Sequence, residues 1–173
     1  YYVDTNNAAA ADTNPGTAAL PFKTIQKAAN VVQAGDTVMV RGGVYSNVSV
    51  TLKSSGTAAY PITFKACPGE TVVLDGASSQ WAGFQILTKT YNVIEGFEIR
   101  NYTGHGVYLE NDSNYCVIRE CRIHHCSGSG VYIRGADYVR VEYNELYSNS
   151  RFGALVNWRD TTQNRSDYCV ISH

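Results

Sequence analysis

The segment NWRDTTQNRSD, near the end of the chain, combines side chains suited to binding acidic sugars and hard cations. Trp158 offers an aromatic face on which a sugar ring could stack. Arg159 and Arg165 could pair with carboxylates, and Asp160 and Asp167 could hold Ca²⁺ through oxygen ligands. The alternative is an ordinary solvated loop, and both interpretations stay open at this point.

A second set of candidates precedes this segment. Tyr108 and Tyr132 occupy equivalent positions in two similar stretches, and Arg134 follows Tyr132 by two residues. The two tyrosines could extend an aromatic surface toward the polar segment, and Arg134 could bind a carboxylate. A column of tyrosines can also be purely structural.

An internal repeat determines where these candidates lie. The stretches YNVIEGFEIRNYTGHGVYL, YCVIRECRIHHCSGSGVYI and YVRVEYNELYSNSRFGALV begin at Tyr91, Tyr115 and Tyr138, so the spacings are 115 − 91 = 24 and 138 − 115 = 23 residues. The next tyrosine of the template is Tyr168, and 168 − 138 = 30, which leaves about six extra residues in NWRDTTQNRSD. Insertions in solenoids form loops on one face, often the binding face.

The pattern inside each repeat predicts a parallel β-helix. A run with apolar residues on alternate positions is followed by a polar stretch and then by a glycine that opens a second β run. Stacked rungs predict four inward columns, which are Asn92/Cys116/Val139, Ile94/Ile118/Val141, Phe97/Cys121/Asn144 and Ile99/Ile123/Leu146. The predicted outward columns alternate in charge and are interpreted as solvated ion-pair ladders, namely Glu95/Arg119/Glu142, Glu98/Arg122/Glu145 and Glu110/Arg134.

The earlier part of the chain predicts the start of this solenoid. From Pro21 the spacing of apolar residues indicates one amphipathic helix, with Pro21 in its first turn and Gly35 at its end. Such a helix would cap the apolar end of the first coil. Short strands are then expected at 37–41, 48–52, 61–65, 72–74 and 84–87. The chain is therefore one domain, with a leader and capping helix over 1–36 and coils over 37–173.

The opening YYVDTNN and the segments PFKTIQKAANVVQAGDTVMVRGGVY and PITFKACPGETVVLDG resemble the N-terminal half of secreted right-handed β-helix proteins, particularly polysaccharide lyases of the pectate and polyuronate lyase type. The resemblance implies a secreted, all-β, right-handed parallel β-helix with an N-terminal capping α-helix. It also implies cleavage of an acidic polysaccharide by β-elimination, with a Lys or Arg base and bound Ca²⁺.

For the Lys or Arg base that the resemblance implies, Arg159 in the polar segment is the candidate. All five lysines precede the clear repeats. Asp160 and Asp167 are the corresponding candidate metal ligands. A non-catalytic β-helix that binds glycans, or serves as a structural element outside the cell, is the alternative function.

Composition narrows the classes of partner. The net charge is −1 and no cluster of Lys or Arg occurs, which argues against a general nucleic-acid binder. No apolar run is long enough to span a membrane. The five cysteines are predicted to be small buried thiols, and the histidines to lie in exposed turns. Because YCVISH starts a fourth repeat and stops, the C-terminal edge is expected to be covered by further coils or by another chain.

Overall fold

Parallel strands make up almost all of the regular structure. A computed structural model describes residues 1–157 and 168–172, and in this part of the chain 17 strands and one helix, α1 (Ile25–Val31), are found. The strands are β1 (Tyr2–Val3), β2 (Thr37–Val40), β3 (Gly43–Ser46), β4 (Val50–Thr51), β5 (Ile62–Ala66), β6 (Val72–Asp75), β7 (Ala82–Leu87), β8 (Asn92–Glu95), β9 (Phe97–Arg100), β10 (His105–Glu110), β11 (Val117–Arg119), β12 (Arg122–His124), β13 (Val131–Arg134), β14 (Arg140–Glu142), β15 (Glu145–Tyr147), β16 (Ala154–Asn157) and β17 (Val170–Ser172).

The strands form three sheets, and each coil of the chain contributes one strand to each sheet. The first sheet has the order β1-β2-β5-β8-β11-β14-β17, the second β3-β6-β9-β12-β15, and the third β4-β7-β10-β13-β16. This arrangement confirms the predicted parallel β-helix. The predicted register is also confirmed, because Ile118 pairs with Ile94 below and Val141 above, and Ile123 pairs with Ile99 and Leu146.

Each repeat turns a corner that was not predicted, because the sequence pattern indicated a continuous first β run. The first β run of a repeat is two strands in two different sheets, separated by one or two residues, of which the first has a positive φ. These corner residues are Gly96 (φ 79°), Glu120 (φ 54°) and Tyr143 (φ 56°). A left-handed residue turns the chain from one sheet into the next. Strand β3, at Gly43–Ser46, was not among the predicted strands.

Helix α1 caps the first coil but begins later than predicted. It starts at Ile25, and the side chain of the N-cap residue Thr24 accepts a hydrogen bond from the Lys27 N–H. Pro21 lies before the helix, and Val32 is the C-cap residue, so both predicted ends were wrong. The side chain of Gln26 attaches the helix to β4. Its Oε1 accepts a hydrogen bond from the Thr51 N–H (2.8 Å), and its Nε2 donates one to the Thr51 carbonyl (3.0 Å). No helix in 1–157 or 168–172 is long and apolar enough to cross a membrane.

A column of four glycines, called here the glycine column, lies where the second and third sheets meet. Its members are Gly83, Gly106, Gly130 and Gly153. A Cβ on Gly83 would lie 2.6 Å from the carbonyl oxygen of Gly106, and a Cβ on Gly130 would lie 2.6 Å from that of Gly153. Only a residue without a side chain lets successive rungs approach so closely here.

The template tyrosines form a stacked ladder on the outside of the solenoid. Tyr91, Tyr115, Tyr138 and Tyr168 stack with ring centroids 4.8, 4.8 and 4.9 Å apart and ring planes within 6° of parallel. Each has a φ between 54° and 59°. The ring spacing equals the spacing of parallel strands, so one stacked pair forms at each rung.

Charged columns face outward as predicted. Arg119 lies 2.7 Å from Glu95, which Lys65 also approaches at 3.2 Å, and Arg122 lies 3.0 Å from Glu145. Burial alone would raise the pKa of Glu95, but the hydrogen bonds from Arg119 and Lys65 outweigh it and hold the pKa below its ordinary value. The predicted structural role of these ladders therefore fits the geometry.

The cysteines also agree with prediction. Cys67, Cys116, Cys121 and Cys126 are buried, Cys169 is partly buried, and all five are free thiols. Burial raises the pKa of the Cys121 thiol to about 12, which keeps it protonated and unreactive.

Candidate functional site

An aromatic cluster lies on the outer face of the third sheet. It comprises Trp81, in the turn before β7, His105 at the start of β10, and Tyr108 and Tyr132 in neighbouring strands β10 and β13. The Trp81 ring stands edge-on to Tyr108 (centroids 4.7 Å apart) and to His105 (5.3 Å). His105 lies 4.6 Å from Tyr132, and the two tyrosine rings are 5.6 Å apart. We call these four residues the aromatic platform.

Exposure differs sharply within the platform. Trp81 is 45% exposed, whereas Tyr108 is only 7% exposed because Trp81 and His105 cover it. Tyr132 is partly exposed, and its hydroxyl accepts a hydrogen bond from Asn157 Nδ2 at 2.9 Å. Trp81 is therefore the ring whose surface is most open to a ligand, and Tyr108 supports it from below.

Glycines in the turns make room for the platform. A Cβ on Gly104 would lie 2.6 Å from Trp81 Nε1, and a Cβ on Gly128 would lie 2.8 Å from two atoms of the His105 ring. Any side chain at these positions would push the tryptophan or the histidine from its place. The local sequence thus fixes the ring positions through residues that carry no chemistry themselves.

His105 has a defined tautomer. Its Nδ1 accepts a hydrogen bond from the Ser129 N–H at 3.0 Å, so in the neutral ring the proton is on Nε2. Burial lowers the pKa of His105, and the positive charge of Arg151 lowers it further. At neutral pH the ring is an uncharged aromatic surface with one N–H donor.

A charged edge borders the platform. Arg134 in β13 lies 3.1 Å from Glu110 in β10, and the Arg134 side chain is 42% exposed. Burial raises the pKa of Tyr108 to about 12, and Glu110 adds to the rise while Arg134 opposes it. The phenol therefore stays protonated, and the exposed guanidinium is the group available to a carboxylate.

The structure brings three of the predicted binding residues together. Tyr108, Tyr132 and Arg134 lie on one face, and β16, which pairs with β13 on that face, ends at Asn157, the first residue of the predicted loop. The other candidates lie outside the described residues, namely Trp158, Arg159, Asp160, Arg165 and Asp167. Within 1–157 and 168–172, no group of three or more His, Cys, Asp or Glu side chains is arranged to hold a metal ion.

Sequence reasoning missed Trp81 and misplaced two histidines. Trp81 precedes Ala82, which pairs with His105, so one rung separates the two residues. The repeat template begins at Tyr91 and therefore gave no signal for Trp81. His105 and His124 were predicted in exposed turns, but both are buried strand residues because neighbouring rings cover them.

A parallel β-helix with an exposed aromatic residue beside a charged edge is a class of protein that includes carbohydrate-active β-helices. More particularly, the chain belongs to the family described as Pel9A-like, right handed beta helix region, whose model matches residues 1–157. The predicted right-handed β-helix is thereby confirmed.

Relatives agree with this assignment. YwoF, an uncharacterized protein of Bacillus subtilis, is 33% identical over 134 residues, covering 70% of this chain and 28% of YwoF. Pectate lyase PEL9 of Emericella nidulans is 41% identical over 68 residues, covering 38% of this chain and 16% of PEL9. The crystal structure of pectate lyase Pel9A superposes with a TM-score of 0.75 at 24% identity, covering 86% of this chain and 39% of Pel9A. The chain thus matches less than two fifths of the length of each.

Proposed function

We propose that this protein is a secreted β-helix of polysaccharide lyase type that binds an acidic polysaccharide along the outer face of the third sheet and cleaves it by β-elimination. The observation that carries the proposal is the aromatic platform, whose exposed Trp81 shares a face with the guanidinium of Arg134. An aromatic face binds the apolar side of a sugar ring, and a guanidinium binds its carboxylate. The family membership and the pectate lyase relative favour a uronate polymer.

The proposed reaction needs a base to remove the proton next to the uronate carboxyl, and a positive group to stabilise the negative charge that develops there. We assign the base to Arg159 and charge stabilisation to Arg165, with Trp158 as a further stacking residue. Asp160 and Asp167 would hold a Ca²⁺ ion. The described residues contain no cluster that fits a metal, so no step is assigned to the ion.

Activity is tested by the ultraviolet absorbance of unsaturated uronates. The protein is offered polygalacturonate, alginate and glycosaminoglycans in turn, first with Ca²⁺ and then with a chelator. A rise with one polymer supports the lyase, and its loss in Arg159→Ala supports the assigned base. Binding without unsaturated product on any polymer would favour a non-catalytic glycan-binding β-helix.

Binding is tested separately by calorimetry with the same polymers. Trp81→Ala is expected to weaken binding roughly fivefold, because a stacked ring contributes about 1 kcal/mol. Tyr60→Ala is the matched control, since Tyr60 is 65% exposed and packs near Gly35, outside the platform. If Trp81→Ala binds as tightly as the control variant, the platform is not the binding surface.

A further inference from the structure

A polar groove lies between the capping helix and the first two coils. It has a volume of about 430 Å³, within the range of small-molecule sites. Helix α1, the segment that joins β3 to β4, and the turn before β7 form its walls. The apolar residues Ile25, Val48 and Val50 are also among those that line it.

Neutral hydrogen-bonding groups line the groove in fixed positions. Asn47 Oδ1 accepts hydrogen bonds from Ser79 Oγ and Gln80 Nε2, both at 2.8 Å. These two bonds set the orientation of the Asn47 amide, whose Nδ2 donors have no protein partner among the described residues. Ser49 Oγ accepts a bond from Gln85 Nε2 at 2.8 Å, so its own proton remains available to donate.

One positive charge stands at the rim. Lys23 lines the groove and is exposed, and no ion pair of Lys23 is found in the part of the chain that the structure describes. A ligand that fits all these groups has an apolar face, several hydroxyl oxygens and one carboxylate. A uronic acid unit has each of these features.

The groove and the aromatic platform are joined by adjacent residues of the chain. Gln80, in the groove wall, is directly followed by Trp81. Thr51, Gln85, Tyr108 and Tyr132 occupy successive rungs of one outward column. Three rung spacings of about 4.8 Å separate the first from the last, so the column is about 14 Å long.

We infer that the groove is a second sugar subsite, which binds a uronate unit of the same polysaccharide chain that stacks on Trp81. This inference rests on the proposed function. Asn47 and Ser49 donate hydrogen bonds to sugar oxygens, and Lys23 pairs with the carboxylate. A polymer held at both places lies along the solenoid axis.

The test uses calorimetric titration with saturated oligogalacturonides of increasing length, and with alginate oligomers in a parallel series. Asn47→Asp keeps the acceptor for Ser79 and Gln80 and tolerates the positive φ of 56°, but it replaces the free N–H donors by a negative charge. Lys23→Ala removes the positive charge. Lys53→Ala is its matched control, because Lys53 is also exposed and does not line the groove.

The inference predicts that Asn47→Asp and Lys23→Ala each weaken binding of long oligomers about tenfold, while Lys53→Ala does not. Affinity for oligomers too short to span groove and platform is expected to change much less than affinity for long ones. If both groove variants bind long oligomers as wild type does, while Trp81→Ala weakens them, the groove is not a subsite and the proposed function stands. If no oligomer of either series binds the folded wild-type protein, both ideas fail together.

Discussion

The glycine column offers a graded test of how closely the rungs approach one another. A Cβ on Gly106 would contact Ile123 Cγ2 and lie 2.7 Å from the carbonyl oxygen of Gly130. Among the described residues, the nearest atoms to a Cβ on Gly153 would instead belong to Leu146, the closest 3.2 Å away. Substitution by alanine is therefore expected to lower the free energy of unfolding by different amounts at different positions of the column.

The magnitude follows from these contacts. Overpacking costs about 1–3 kcal/mol, and the higher figure applies to Gly106 because a backbone oxygen cannot rotate away and Ile123 is fully buried. Alanine also reduces the entropy of the unfolded chain, which returns about 0.4–1 kcal/mol. We expect Gly106→Ala to lower the free energy of unfolding by about 2–3 kcal/mol and Gly153→Ala by less than about 1 kcal/mol.

Thermal unfolding followed by circular dichroism measures the difference. For a chain of this size 1 kcal/mol corresponds to about 2–4 °C, so the midpoint of Gly106→Ala should fall by about 4–12 °C. Gly130→Ala should lie between the two, because its Cβ would lie 2.6 Å from the Gly153 oxygen but 3.4 Å from the nearest side-chain carbon, Leu146 Cδ2, whereas a Cβ on Gly106 would also clash with Ile123. Equal midpoints for the Gly106 and Gly153 variants would refute the reasoning from rung contacts.

Three further predictions concern protonation, backbone strain and thiol reactivity. Burial lowers the folded-state pKa of His105 and His124 below 6.5, so the unfolded chain binds more protons as the pH falls. Stability should therefore decrease as the pH drops below about 7, and the urea midpoint should decrease less in His124→Asn than in the wild type. Tyr115 has a φ of 59°, so Tyr115→Gly should be at least as stable as Tyr115→Ala in urea, the reverse of the usual order in strands. Cys121, with its thiol buried, should be alkylated by iodoacetamide only after unfolding, and peptide mass spectrometry showing rapid native modification would contradict this.

Much of the fold could be predicted because each coil places apolar side chains inward and charged side chains outward at the same positions. Glu95 and Arg119 had to face water, and Ile94 and Ile118 had to face inward, so only one register satisfies both. The corners between sheets were not predicted, because glutamate at position 120 gives no indication in the sequence that its φ is left-handed. These are local backbone states that the surrounding coils impose.

The start of the helix depends on distant contacts. Asp12 accepts hydrogen bonds from the backbone N–H groups of Lys23 (3.0 Å) and Thr24 (2.9 Å), and from the Thr24 hydroxyl (2.7 Å). These bonds hold the chain extended until Ile25, whereas local preference alone suggested Pro21. Local helix propensity therefore predicted that a helix forms here, and tertiary contacts determined where it begins.

The candidate site was predictable only where it follows the repeat. Tyr108 and Tyr132 are equivalent by template, so their proximity was expected. Trp81 and His105 meet because one coil brings a turn residue next to a strand in the following rung. That contact depends on the length of the coil that contains Trp81, which precedes the first recognisable repeat at Tyr91, so the repeat spacing could not predict it.

The outward column of the third sheet has a consequence for how binding specificity can change. Its positions recur at one rung spacing, so exchanging two neighbours, such as Gln85 and Tyr108, moves a chemical group by one fixed step of about 4.8 Å without altering the backbone. The surface therefore offers one outward side chain per rung, and each can be substituted independently of the others. Exchanging side chains between rungs, by evolution or by design, would shift the position along the polymer at which each sugar is recognised.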